Sequence, residues 1–291
     1  MNKNYQGQIS VFIANLIYGL NYIIAKELMP YYFSPRAVIF CRVSGAMVLF
    51  WLFHILFVRE SVSKKDLLRL AFCAFWGIAV NQIMFFEGLN LTTPINSSII
   101  MTVNPVLVLI FSYFIIKEKI TLKKIIGISL GATGAIILIL NIGDFSLTSK
   151  TFTGNLFILI NAASFALYLV LLKPLTSKYK TATIMKWIFI FGFCYIFPIC
   201  IKNFIDVKWE IIPVNIWLSL LYVIIGATFF GYLLYNWALK FISASATSFY
   251  IYFQPFFAAL FALMLGKDTL DIIKIISAIL IFSGVYFINK K

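Results

Sequence analysis

The chain has 291 residues, of which 62% are hydrophobic and only 12% charged, with a mean hydropathy of +0.98. Soluble domains carry roughly 45–50% apolar and 25% charged residues, so a soluble globular fold is excluded. A helix crossing a bilayer uses about 20 apolar residues, which leaves room for about ten crossings and short loops. The formal charge of +14 would point to a polyanion in a soluble protein, but here it is read by its position along the chain.

In chain order, apolar runs punctuated by Lys, Pro, Asn and Ser clusters predict spans at 9–28, 36–57, 68–90, 94–116, 122–141, 154–172, 182–201, 214–239, 244–265 and 271–288. No small-residue cleavage site follows the first run, so it is expected to stay as a span. An even number of spans puts both termini on one side. That side collects 16 Lys and Arg, clustered around 59–69, 117–124 and 173–186, against 7 on the other, with Arg42 inside the second span. The excess predicts cytoplasmic termini, accounts for most of the net charge and removes the case for nucleic acid. Trp51, Trp76, Trp187 and Trp237 fall near inner span ends, and Trp209 and Trp217 by an outer loop, the pattern of an interfacial belt.

The chemistry-bearing residues are sparse. Cys41, Cys73, Cys194 and Cys200 lie in apolar runs without a CxxC pair, and are read as buried and reduced. His54 is the sole histidine, so neither a metal site nor a Ser-His-Asp arrangement is supported. The sequence contains no GxxxxGK[ST], GxGxxG or HExxH, and no cofactor is expected.

Shifting the sequence against itself by 150 positions aligns Leu89 with Leu239, Ser98 with Ser248, Pro105 with Pro255, Lys117-Glu118 with Lys267-Asp268, and Gly134 with Gly284. A shift of 147 places Lys26 on Lys173. This predicts two copies of one five-helix unit, residues 1–146 and 147–291. Five is odd, so the copies would cross the membrane in opposite senses, an architecture recurrent in secondary transporters. Pro105 and Pro255 fall near the middle of the fourth and ninth spans, where each should kink its helix and free carbonyls at mid-membrane. Each follows an amide, Asn104 and Gln254, and matched interruptions of this kind point to a transport site, with a packing kink as the alternative. Thr121 and Asp271 are N-cap types, and Glu118 and Asp268 precede them where a helix dipole favours an anion, which reads as a capped turn, with a gate or coupling role as the alternative.

Polar residues inside the spans are spaced at three, four or seven, which keeps them on shared helix faces. They are Asn15, Tyr18 and Asn21; Asn81 and Gln82; Asn161, Ser164 and Tyr168; and Tyr232, Tyr235 and Asn236. A cavity of amides and aromatics without a full charge at its centre suits neutral, zwitterionic or aromatic solutes. Arg42 and Glu87 sit at similar depth and are expected to pair, as a staple, an outer gate or a carboxylate site. An intramembrane charge costs roughly 3 kcal/mol on insertion scales and needs a partner or a watery cavity. Glu87 is also the acid to test if protons are the coupling ion.

Together these residues resemble the drug/metabolite transporter superfamily, in its ten-helix EamA-type branch. The first copy carries Leu89, Thr92-Thr93, Pro105, Glu118, Ile120-Thr121, Gly127 and Gly134. The second carries Ala238-Leu239, Ser243-Ala244, Pro255, Gly266, Asp268 and Gly284. Lys117 stands where that pattern has glycine, and Asp268 where it has glutamate. The resemblance implies an all-α protein of the bacterial cytoplasmic (inner) membrane, not an enzyme. It implies export of small metabolites such as amino acids by a monomer or weak homodimer. An uncoupled facilitator, an importer and a membrane-embedded enzyme are the competing readings.

Overall fold

The computed structural model describes residues 3–92, 97, 100–142, 149–264 and 272–289. Ten helices account for nearly all of them. These are α1 (Lys3–Leu28), α2 (Pro35–Phe57), α3 (Lys64–Leu91), α4 (Asn104–Ile116) and α5 (Leu122–Ile142) in the first half. The second half holds α6 (Ser149–Thr176), α7 (Thr181–Ile205), α8 (Val214–Phe241), α9 and α10 (Ile272–Asn289). Helix α9 is built in pieces, Ala244–Phe249, a 3₁₀ turn at Tyr250–Tyr252, and Phe253–Met264. Five helices are long and apolar enough to cross a bilayer on length and composition: α2, α3, α7, α8 and the Thr151–Thr176 stretch of α6.

Local signals explain the starts. Ser34 accepts from the Ala37 backbone N–H and Pro35 takes the first helical position, where its missing donor costs nothing. Ser63 does the same for α3, accepting from Asp66 N at 3.2 Å. The Asp66 carboxylate is then covered by Tyr179 Oη at 2.9 Å and Lys178 Nζ at 3.3 Å, which ties the start of α3 to the α6–α7 turn.

Two features interrupt the regular helices. Phe75–Val80 in α3 and Tyr222–Phe230 in α8 are wound as π-helix. The two prolines mark the second kind of break. Pro105 opens α4 at its first turn after a turn at 102–103, so the helix is broken before it rather than kinked at its centre. Val106 N donates to Val103 O, which frees the Thr102 carbonyl to accept from Tyr252 Oη at 3.1 Å. Pro255 sits in the first turn after the 3₁₀ segment of α9.

The packing pairs α5 with α10, α2 with α7, and α4 with α9, while α1 lies against α8 and α9 and α6 against α3 and α4. Exchanging each helix for the one five places on leaves this set of neighbours unchanged. Detailed contacts follow the same rule. A Cβ on Gly127 would lie 2.9 Å from the Gly284 carbonyl, and one on Gly134 2.8 Å from the Ser277 carbonyl. Positions 127 and 277, like 134 and 284, are 150 apart, so the two close approaches are one contact with its partners swapped. Glycine is required there because backbone meets backbone.

Several expectations are corrected. Trp76 is no interfacial end residue: it lies in the π segment of α3, packed on Phe72 and Phe75 with its indole nitrogen buried. Cys41, Cys73 and Cys200 are buried and free, but Cys194 is exposed on the outer face of α7. Asp268, Gly266 and Asp271 lie outside the described residues, as do Thr93 and Ser98.

Candidate functional site

The helices converge on a cavity of about 90 Å³, room for about three waters or the polar head of a small metabolite. Its wall is drawn from both halves: Tyr18 and Asn21 of α1, Arg42 of α2, Asn81, Gln82 and Phe85 of α3, and Met101 before α4. Opposite stand Asn161 and Phe165 of α6, Tyr232 and Tyr235 of α8, and Ile251 and Gln254 of α9.

Helix packing sets the wall. Asn161 Nδ2 donates to the Asn81 carbonyl at 2.8 Å and Asn81 Nδ2 returns a bond to the Asn161 carbonyl at 3.4 Å. This reciprocal pair clamps α3 to α6. Gln82 Nε2 donates to Tyr232 Oη at 2.6 Å and to Asn81 Oδ1 at 3.1 Å. Behind this layer, Tyr168 Oη donates to Asn236 Oδ1 at 2.9 Å, and Asn236 Nδ2 to the Tyr232 carbonyl. Gln254 Nε2 donates to Asn15 Oδ1 at 2.8 Å, and Asn104 Nδ2 to the Ala162 carbonyl at 2.7 Å. Asn15, Tyr168, Asn236 and Asn104 thus position the wall without lining it. Pro105 and Pro255 act one step further back, by starting the helices that carry Asn104 and Gln254. Ser164 caps its own turn through the Asn161 carbonyl.

The expected Arg42–Glu87 pair does not form. Glu87 lies near the far end of α3 and pairs with Arg36 at 2.7 Å, with the two side chains 22% and 47% exposed. Neither lines the cavity. Arg42 is 4% exposed, donates from Nε to Thr228 Oγ1 at 3.1 Å and lies 5.0 Å from the Phe86 ring centre. Thr228 can serve it because the π turn lets its hydroxyl donate in turn to Val223 O, five residues back, at 2.6 Å. The cavity therefore carries one buried cation, against the expectation of a wall without full charge. Phe85, Met101, Phe165, Ile251 and the supporting Thr228 were not among the expected site residues, because apolar and hydroxyl side chains give no contrast in so apolar a chain.

A second polar cluster ties the α4–α5 turn to α9. Glu118 Oε1 accepts from Lys124 Nζ at 2.7 Å and from Ser245 Oγ at 2.7 Å. Burial would push the Glu118 carboxyl up, but the bonds from Lys124 and Ser245 outweigh it and hold it below its ordinary range. Nearby, Lys173 Nζ donates to the Leu239 and Ile242 carbonyls at the end of α8. Thr121 accepts from Lys124 N, the expected N-cap of α5. Among the described residues no group of three or more His, Cys, Asp or Glu could hold a metal.

Several known proteins with similar sequences are named as transporters. An uncharacterized transporter of Bacillus subtilis (strain 168), YyaM, is 26% identical over 272 residues, covering 92% of this chain and 88% of its own. An uncharacterized transporter of Archaeoglobus fulgidus is 26% identical over 230 residues, covering 79% and 78%. A crystal structure with 16% sequence identity shares the fold, with a TM-score of 0.77 over 97% of this chain and 96% of that one. The sequence model of the EamA-like transporter family matches twice, over residues 6–140 and 152–290, and the chain belongs to that family.

Proposed function

We propose that the chain is a secondary transporter that exports small zwitterionic, neutral or aromatic metabolites, amino acids among them, across the bacterial cytoplasmic membrane. In this reading residues 1–146 and 147–291 are two inverted five-helix repeats, both termini are cytoplasmic, and the cavity is exposed alternately to each side. One observation carries it: a cavity lined by helices of both halves, at which α3, α8, α9 and the approach to α4 all depart from α-helical winding. Breaks in the helices around a central site supply exposed carbonyls and hinge points, which a carrier needs and a static scaffold does not. Support comes from the swapped-partner contacts at Gly127 and Gly134, from the Lys and Arg excess on the side of the termini, and from the names of the relatives.

The test is counterflow in proteoliposomes loaded with a panel of amino acids and aromatic metabolites. Saturable exchange is expected, and it should fall when Asn161→Ala removes the clamp between α3 and α6. Exchange that grows linearly with concentration would instead indicate a channel. Any dependence on a pH gradient should survive Glu87→Gln, since Glu87 is committed to Arg36 away from the cavity.

A further inference from the structure

We infer that Arg42 is the specificity-determining residue of the cavity, and that it selects solutes bearing a carboxylate, with their N–H donors received by unpaired amide oxygens of the same cavity. This deepens the carrier reading and rests on it. The guanidinium offers five N–H donors in a planar fork that matches a carboxylate. Among the described residues only Nε is committed, to Thr228 Oγ1, and no carboxylate pairs with the group. Its support from Thr228 and the Phe86 ring fixes the side chain without neutralising it. Among the described residues Arg42 is the one charged residue in the wall, so the wall they form is positive and an isolated amine is disfavoured there.

Three other wall residues lack partners of the complementary kind. Asn21 Oδ1, Gln82 Oε1 and Asn161 Oδ1 are buried acceptors with no donor. An acceptor left desolvated without a donor is unfavourable, and a solute bringing N–H groups relieves that cost. A free cation and free acceptors in one wall, with Tyr18, Tyr235 and Phe165 between, describe the two ends and the side chain of an amino acid.

The experiment uses purified full-length protein in liposomes and four compounds sharing one aromatic side chain: the α-amino acid, its deaminated acid, its decarboxylated amine and its amide. Wild type should exchange the amino acid best, the deaminated acid next, and the amine and amide at least tenfold less efficiently. Arg42→Gln should lose at least tenfold for the two carboxylates and markedly less for the amide, closing the gap between them, and Arg42→Lys, which keeps the charge and loses the fork, should fall between. Melting temperature checks that each variant folds, and if Arg42→Gln fails that check the Arg42→Lys result decides. Equal exchange of all four compounds, or an equal loss for all four in the variants, overturns the role of Arg42 while leaving the carrier reading intact. No exchange of any compound by folded wild type overturns both.

Discussion

Replacing Glu118 by glutamine separates a gate from a staple. Of the bonds its Oε1 accepts, the one from Lys124 stays within the α4–α5 turn and the start of α5, whereas the one from Ser245 crosses to α9. A hydrogen bond to a charged group contributes about 1.5–3 kcal/mol, and Glu118 and Lys124, at 13% and 16% exposure, are screened little by solvent. Glutamine keeps the shape and loses the charge, so the crossing contact should weaken by about 1.5 kcal/mol, roughly a tenfold shift between closed and open populations at this end. Spin labels on the exposed Lys119 and Lys240, read by pulsed distance measurement, should show the longer-distance population rising about tenfold in Glu118→Gln. A lower melting temperature with an unchanged distance distribution would refute the gate and leave a structural tie. Acid titration gives a second arm. Because the carboxyl is held below its ordinary range, the bonds it accepts are complete above the unfolded-state pKa of about 4.3. They are lost only as pH falls through the lower folded-state value. Between pH 8 and 5 the distribution should therefore not change through Glu118.

Other outcomes follow from single contacts. Lys117 holds a left-handed backbone with φ of 56°, so Lys117→Gly should raise stability by about 0.5–1 kcal/mol, read as melting temperature in detergent. A Cβ on Gly77 would lie 2.2 Å from Tyr168 Cδ2. Gly77→Ala should therefore cost about 1–3 kcal/mol by overpacking and abolish exchange by displacing the Tyr168–Asn236 layer; normal exchange would show that this layer is dispensable. Arg36→Ala removes a half-exposed ion pair and should change stability by less than about 1 kcal/mol, checked by the same melt.

The helices were legible in the sequence because each is a long apolar run ended by a cap or a charge. Ser34 and Ser63 before α2 and α3 are examples, and α5 starts at the expected residue, Leu122. Seven of the cavity residues were also legible as polar groups at helical spacing, and Arg42 and Gln254 as an intramembrane charge and the amide before a proline. The partners of those groups were not. The expectation set Arg42 at the depth of Glu87, but Glu87 meets Arg36, about 9 Å nearer the start of α2, and Arg42 lies deeper, beside Thr228 in the π segment of α8. The π segments themselves, Phe75–Val80 and Tyr222–Phe230, are built from ordinary apolar residues and carry no local signal.

The bond from Gln82 to Tyr232 joins residues 150 positions apart, as does that from Tyr252 to the Thr102 carbonyl. Each side chain is thus bound at its own counterpart's position in the other half. If the halves trade conformations during a cycle, most contacts are replaced by their swapped equivalents, but a side chain-to-side chain bond between counterparts maps onto itself and has no replacement. The Gln82–Tyr232 bond would act as a fulcrum, persisting while the surrounding helices rock, whereas the Tyr252 bond, made to a backbone carbonyl, would be exchanged for one from the Thr102 hydroxyl to the Tyr252 carbonyl. Glutamine and tyrosine are not interchangeable, so the fulcrum is lopsided. The two end states of the cycle would then differ in energy even without solute, giving the empty carrier a preferred resting side.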